Sequence, residues 1–110
     1  MSYDPRLADR IRKHLADTPG VTERKMFGGL AFLLNGNMAV AANRSGGLMV
    51  RVDQAEVKNL LASTPARLVE MRGRQMQGWL HLDAEHVADE PGLAEWVEIG
   101  STYAATLPAK

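Results

Sequence analysis

The chain has 110 residues, 45% of them hydrophobic, and no cysteine. That suits one compact domain over residues 1–110, and it excludes two independent folds, disulfides, thiol nucleophiles and thiolate metal sites. Thirteen Lys and Arg balance thirteen Asp and Glu, which argues against a polybasic nucleic-acid binder of the histone kind. The balance is a cancellation: residues 1–74 carry twelve basic and seven acidic side chains (+5), and residues 75–110 carry one basic and six acidic (−5). If the two segments lie apart in the fold, the surface has two signs and suits head-to-tail association of copies; if they are mixed, they only keep a small domain soluble.

In chain order, Asp4-Pro5 predicts a capped helix start, and Leu7, Ala8, Ile11 and Leu15 recur on one helical face until Thr18-Pro19-Gly20 ends it. Val21 to Phe27, charged at 23, 24 and 25, predicts a strand that is partly exposed or at an edge, and Gly28-Gly29 a bend or bulge. Leu30 to Leu34 and Met38 to Ala42 flank Asn35-Gly36-Asn37, and an Asn-Gly step between apolar runs is a strong hairpin signal. Asn43 to Gly47 turns the chain again, and Leu48, Val50 and Val52 alternate with Met49 and Arg51 in a half-buried strand. Asp53 with Glu56 three residues on predicts a second helix start, with Val57, Leu60 and Leu61 as its apolar stripe and Thr64-Pro65 as its stop. Arg67 to Met71 reads as a strand broken by Gly73. In the next strand, Met76, Gly78, Leu80 and Leu82 fall on one face and Gln77, Trp79 and His81 on the other. Asp89 to Gly92 opens a last helix with the stripe Leu93, Trp96, Val97, Gly100, Tyr103, Ala104 and Leu107, closed by Pro108.

The order α-β(3-4)-α-β(2)-α lacks regular βαβ alternation, which predicts an α+β fold: an antiparallel sheet with helices on one face. Ala, Leu, Met49 and Trp79 positions would then leave the other face less polar than ordinary solvated surface, as contact sites are.

His81-Leu82-Asp83-Ala84-Glu85-His86 is the densest mixture of imidazole and carboxylate. Its spacing matches no established zinc pattern, and a solvated strand end is the preferred reading; a small-ligand or metal-dependent enzyme built on His81, Asp83, Glu85 and His86 is the alternative. His14 reads as a surface residue. Serines 2, 45, 63 and 101 sit in no nucleophile elbow, and the paired glycines lack the helix start that cradles phosphate. Arg24, Lys25, Arg44, Arg51, Arg67, Arg72 and Arg74 lie on or beside the sheet strands, with Trp79 as an aromatic neighbour. They read first as solvated strand residues and second as a weak nucleic-acid or acidic-protein contact, since six aromatic residues make a poor base-stacking platform.

Arg24-Lys25-Met26-Phe27-Gly28-Gly29-Leu30-Ala31-Phe32, followed by Asn35-Gly36-Asn37-Met38, resembles the TfoX amino-terminal domain family, named for the TfoX/Sxy regulator of bacterial natural competence. Gly73-Arg74-Gln75-Met76-Gln77-Gly78-Trp79 and the helix ending at Tyr103 to Leu107 are similar to its later segments. The positions carrying the likeness are Met26, Phe27, Gly28, Gly29, Gly36, Gly73, Arg74, Met76, Gly78 and Trp79. The resemblance implies a fold like that of the type III secretion chaperones, no catalytic residues and no cofactor. In the competence regulators a second domain follows, so this chain is expected to be a stand-alone form. Its expected role is a non-enzymatic, regulatory protein-interaction module, contacting a protein partner or a second copy through Arg24, Lys25, Arg51, Arg72, Arg74 and Trp79. The amino terminus has no apolar run after a basic start, and Leu30 to Leu34 is only a strand's length, so neither a signal peptide nor a membrane contact is expected, and a cytoplasmic location is.

Overall fold

A computed structural model describes residues 4–26, 28–43, 46–71 and 73–109, without the side chains of Met26 and Met71. The roles expected of Phe27, Arg44, Ser45 and Arg72, and of the Met26 side chain, lie outside the described residues. Asp4 caps the first helix, α1 (Pro5–His14), by accepting the Arg6 N–H at 2.9 Å, with Pro5 in the first turn. Leu7, Ala8, Ile11 and Leu15 are its buried residues, as their spacing predicts. Regular helix stops at His14, short of the predicted Pro19-Gly20 break, because the Leu15 amide is shared between the Ile11 and Arg12 carbonyls and the chain tightens into a turn.

The strands are β1 (Val21–Met26), β2 (Gly29–Leu34), β3 (Asn37–Ala42), β4 (Leu48–Arg51), β5 (Arg67–Met71) and β6 (Arg74–Leu82). Helix α2 (Gln54–Ser63) joins β4 to β5, and α3 (Glu90–Ala105) follows a single 3₁₀ turn, Ala84–His86. All pairings are antiparallel, in the order β1-β2-β3-β4-β6-β5. The charged strand β1 is therefore an edge, as its sequence predicts, and Glu23, Arg24 and Lys25 discourage further pairing there. Asn35 (φ 52°) and Gly36 (φ 85°) both adopt positive φ, the type I′ geometry whose twist matches the flanking strands. Asp53 caps α2 by accepting the Ala55 N–H at 2.9 Å.

One sheet face carries Leu30, Phe32, Val40, Ala42, Leu48, Val50, Leu80 and Leu82, packed with Leu7 and Ile11 of α1, Val57 of α2 and Leu93, Trp96 and Val97 of α3. All three helices thus cover the same face. Gly100 lets α3 approach most closely: a Cβ there would lie 2.6 Å from the Ala39 carbonyl oxygen. Among the described residues, no helix is long and apolar enough to cross a membrane.

Two irregularities change what alternation alone predicts. Phe32 pairs with Val40 but Leu33 with Met38, so Ala39 is an extra residue in β3. It joins Leu34 and Ala104 in a satellite of the helix-side core. In β6, Leu80 pairs with Leu68 but Met76 with Val69, leaving Gln77, Gly78 and Trp79 bowed out of register with β5. Gly78 permits this at φ 81°, and its carbonyl accepts the Val52 N–H at 2.8 Å. The predicted grouping of Met76 with Gly78, Leu80 and Leu82 is corrected accordingly: the bulge turns Met76 to the side of Trp79.

Candidate functional site

The uncovered face of the sheet is apolar. Ala31, Leu33, Ala41, Met49 and Val69 form a second buried cluster, with Met38, Met76 and Trp79 half-buried against it and no helical residue in it. Direct cross-strand pairs build it: Ala31 faces Ala41, Ala41 faces Met49, and Met49 faces His81. At its rim Arg51 faces Trp79, and the guanidinium lies 6.0 Å from the Trp79 ring centre and 5.9 Å from that of Tyr103 on α3. Pairing of Arg24 with Ala31 puts Arg24 on this side at the edge; Lys25, opposite Leu30, falls on the helix side and stays exposed. Arg74 opens β6 opposite Met71, exposed beyond Met76. The face therefore brings together Trp79, Met76, Arg51 and Arg24 of the expected contact residues, leaves Arg74 at its margin and does not include Lys25.

The signature glycines shape this sheet. Gly28 (φ 72°) turns β1 into β2, and a Cβ on Gly29 would collide with the Ala42 carbonyl of the neighbouring strand. Gly36 and Gly78 make the hairpin and the bulge, and Gly73 (φ 77°) turns β5 into β6.

Beside the open face, Asn43, Met49, Arg67, Val69, Glu70 and His81 help line a cleft of about 620 Å³. His81 is locked within it. The Asn43 side-chain oxygen accepts the Gly47 N–H at 2.9 Å, which turns the Asn43 amide nitrogen toward His81 Nδ1 at 3.3 Å. Nδ1 is then the acceptor, and Nε2 carries the proton and donates to Asp83 at 3.1 Å. The same Asp83 oxygen accepts from Arg67 at 2.6 Å. The hydrogen bond from His81 and the charge of Arg67 hold the Asp83 carboxyl below its ordinary value. Both ring nitrogens of His81 are thus engaged by neighbouring side chains.

Of the four residues in the enzyme alternative, the structure draws Asp83, Glu85 and His86 together, with one ligand atom of each within 4.8 Å of the others. All three are at least partly exposed, and Asp83 is already paired with Arg67. His14 lies on α1 with its Nε2 2.8 Å from Glu90 of α3.

That contact belongs to a set that ties the two charge segments together. Arg10 donates to Glu90 and to the Val87 carbonyl, and Arg67 pairs with Asp83. The hydrogen bond from Arg10, then that from His14, keeps the Glu90 carboxyl below its ordinary range. Within the basic segment Arg12 clamps Glu23 through two hydrogen bonds, lowering the Glu23 carboxyl and raising the guanidinium. The +5 and −5 segments are thus partly interleaved.

The sequence points to Ala, Leu, Met49 and Trp79 positions on this face, which Ala31, Leu33, Ala41, Met49 and Trp79 occupy; Val69 and the shift of Met76 depend on strand order and the bulge and carry no such signal. Residues 13–104 match the family described as TfoX N-terminal domain. A search of curated proteins gives no match.

Proposed function

Because the chain belongs to the TfoX N-terminal domain family, we propose that it is a non-enzymatic protein-interaction module with a regulatory role, and that the uncovered sheet face receives the partner. The observation that carries this reading is the row of half-buried apolar side chains on that face, Met38, Met76 and Trp79, seated on the buried layer of Ala31, Leu33, Ala41, Met49 and Val69. Ala31, Leu33, Ala41, Met49 and Val69 are only 0–9% exposed and form the backing; what faces a partner is the half-buried Met38, Met76 and Trp79 with Arg24 and Arg51 at the rim, apolar side chains with an aromatic anchor and arginine at the edge. The internal engagement of His81 supports the non-catalytic part of the reading.

The test pairs wild type with a Met76→Glu, Trp79→Ser variant, because both side chains are half-buried and reach solvent. Light scattering after size exclusion, over a range of concentrations, reads self-association, and crosslinking in lysate reads a heterologous partner. The expected result is a complex that the variant loses while keeping its circular dichroism and melting temperature. A wild-type protein that stays monomeric and crosslinks to nothing refutes the proposal.

A further inference from the structure

On the helix side, away from the open sheet face, α3 and the start of α2 enclose a groove of about 470 Å³. Ile99 and Tyr103, both half-buried, make its floor, and Asp53, Glu56, Glu95 and Glu98 surround it. Residues 95, 99 and 103 follow one another at four-residue spacing, so a single ridge of α3 carries acid, aliphatic and aromatic side chains in line.

Two of the four carboxylates have a local explanation. Asp53 caps α2, and Glu56 lies in its first turn, where a negative charge opposes the helix dipole. Glu95 and Glu98 have none: both are exposed, both lie beyond the first turn of α3, and among the described residues neither they nor Glu56 enter an ion pair. Like charges therefore converge beside an apolar floor, and among the described residues none of Glu56, Glu95 and Glu98 is paired with a cation. Beside the groove, Arg51 sits 5.9 Å from the centre of the Tyr103 ring and, among the described residues, enters no ion pair. That ring thus already accepts a guanidinium from within the chain.

We propose that this groove docks a cationic, amphipathic segment of a protein partner, with its Lys or Arg side chains toward Glu56, Glu95 and Glu98 and its apolar side chains on Ile99 and Tyr103. Charge complementarity selects the sign of the partner. The shape selects a peptide over a small cation, since residues 95 to 103 extend for about 12 Å at the rise of an α-helix, the length of two helical turns. This surface adjoins the sheet face at Arg51, which touches both Trp79 and Tyr103, but its carboxylates belong to α2 and α3 and are tested separately from that face.

The probe is a fluorescently labelled peptide of Leu and Lys at helical spacing, compared by anisotropy with the same peptide bearing Glu for Lys. Wild type is expected to bind the Lys peptide and not the Glu peptide. Glu95→Gln with Glu98→Gln, on exposed positions that leave the core untouched, is expected to weaken binding about tenfold or more. Glu85→Gln with Asp89→Asn, which removes two carboxylates away from the groove, and Met76→Ser on the sheet face are each expected to bind as wild type does. Equal binding by the Glu95/Glu98 variant overturns the proposal, as does an equal loss in the Glu85/Asp89 variant, which would mean unspecific attraction to acidic surface. A wild-type dimer dissolved by the Glu95/Glu98 pair overturns it too, since a second copy would then be the occupant.

Discussion

Replacing Gly100 by alanine sets two effects of known sign against each other. Inside a helix alanine is favoured over glycine by about 1 kcal/mol, so an α3 free of contacts would be stabilised. In this fold the new methyl would lie 2.6 Å from the Ala39 carbonyl oxygen and 2.8 Å from Val40 Cγ1. The carbonyl is backbone and cannot rotate away. Ordinary contact begins at 3.4 Å, so α3 must withdraw by about 3.4 − 2.6 = 0.8 Å along that line. Withdrawal loosens Leu93, Trp96, Val97 and Ala104, which are 0–6% exposed. Overpacking of this kind costs about 1–3 kcal/mol. Taking the middle of that range against the gain in helix propensity leaves a net loss of about 1 kcal/mol. For a domain of this size that lowers the melting temperature by about 4–8 °C. Urea unfolding and thermal melting of Gly100→Ala measure the net effect, and Thr102→Ala against Thr102→Gly, on the exposed side of the same helix, measures propensity alone. A Gly100→Ala protein as stable as wild type, or more so, would refute the close seating of α3 on β3.

Gly78→Ala is expected to destabilise by about 1–2 kcal/mol, because a non-glycine residue must hold φ 81° at the β6 bulge; an unchanged urea midpoint would show that the bulge does not need glycine. The carboxyls of Glu90, Glu23 and Asp83 all titrate below their ordinary values. Each therefore adds stability that is present above the unfolded-state value of about 4 and is lost as the pH falls through the lower folded-state value. The melting temperature should consequently fall on acidification below about pH 4, and less steeply in Glu90→Gln; equal slopes in the two proteins would remove Glu90 from this account.

Caps, turns and the alternation of the strands were legible because they are settled within a few residues. Asp4 and Asp53 reach backbone N–H groups two positions on, and Asn35-Gly36 closes its hairpin through its own φ angles. The apolar stripes of α1 and α3 were legible for the same reason, since helical periodicity states which residues share a face. The last predicted member of the α3 stripe, Leu107, falls past the helix end at Ala105. The surroundings of the histidine-rich segment are not legible in the sequence: they depend on Asn43 and Arg67, one on a turn and one on another strand, which engage His81 and Asp83.

Local chemistry in the sequence determined an α+β chain with capped helices, an Asn-Gly hairpin and one strongly charged edge strand. Only the tertiary structure decided which apolar residues are left without a helix over them, where Met76 points, and how a charge count of zero is distributed. The physical reason is distance along the chain. Arg10 meets Glu90, Arg67 meets Asp83, and Asp53 and Glu56 come to share a groove with Glu95 and Glu98, through the order of strands and the packing of α3, neither of which any short stretch of residues specifies.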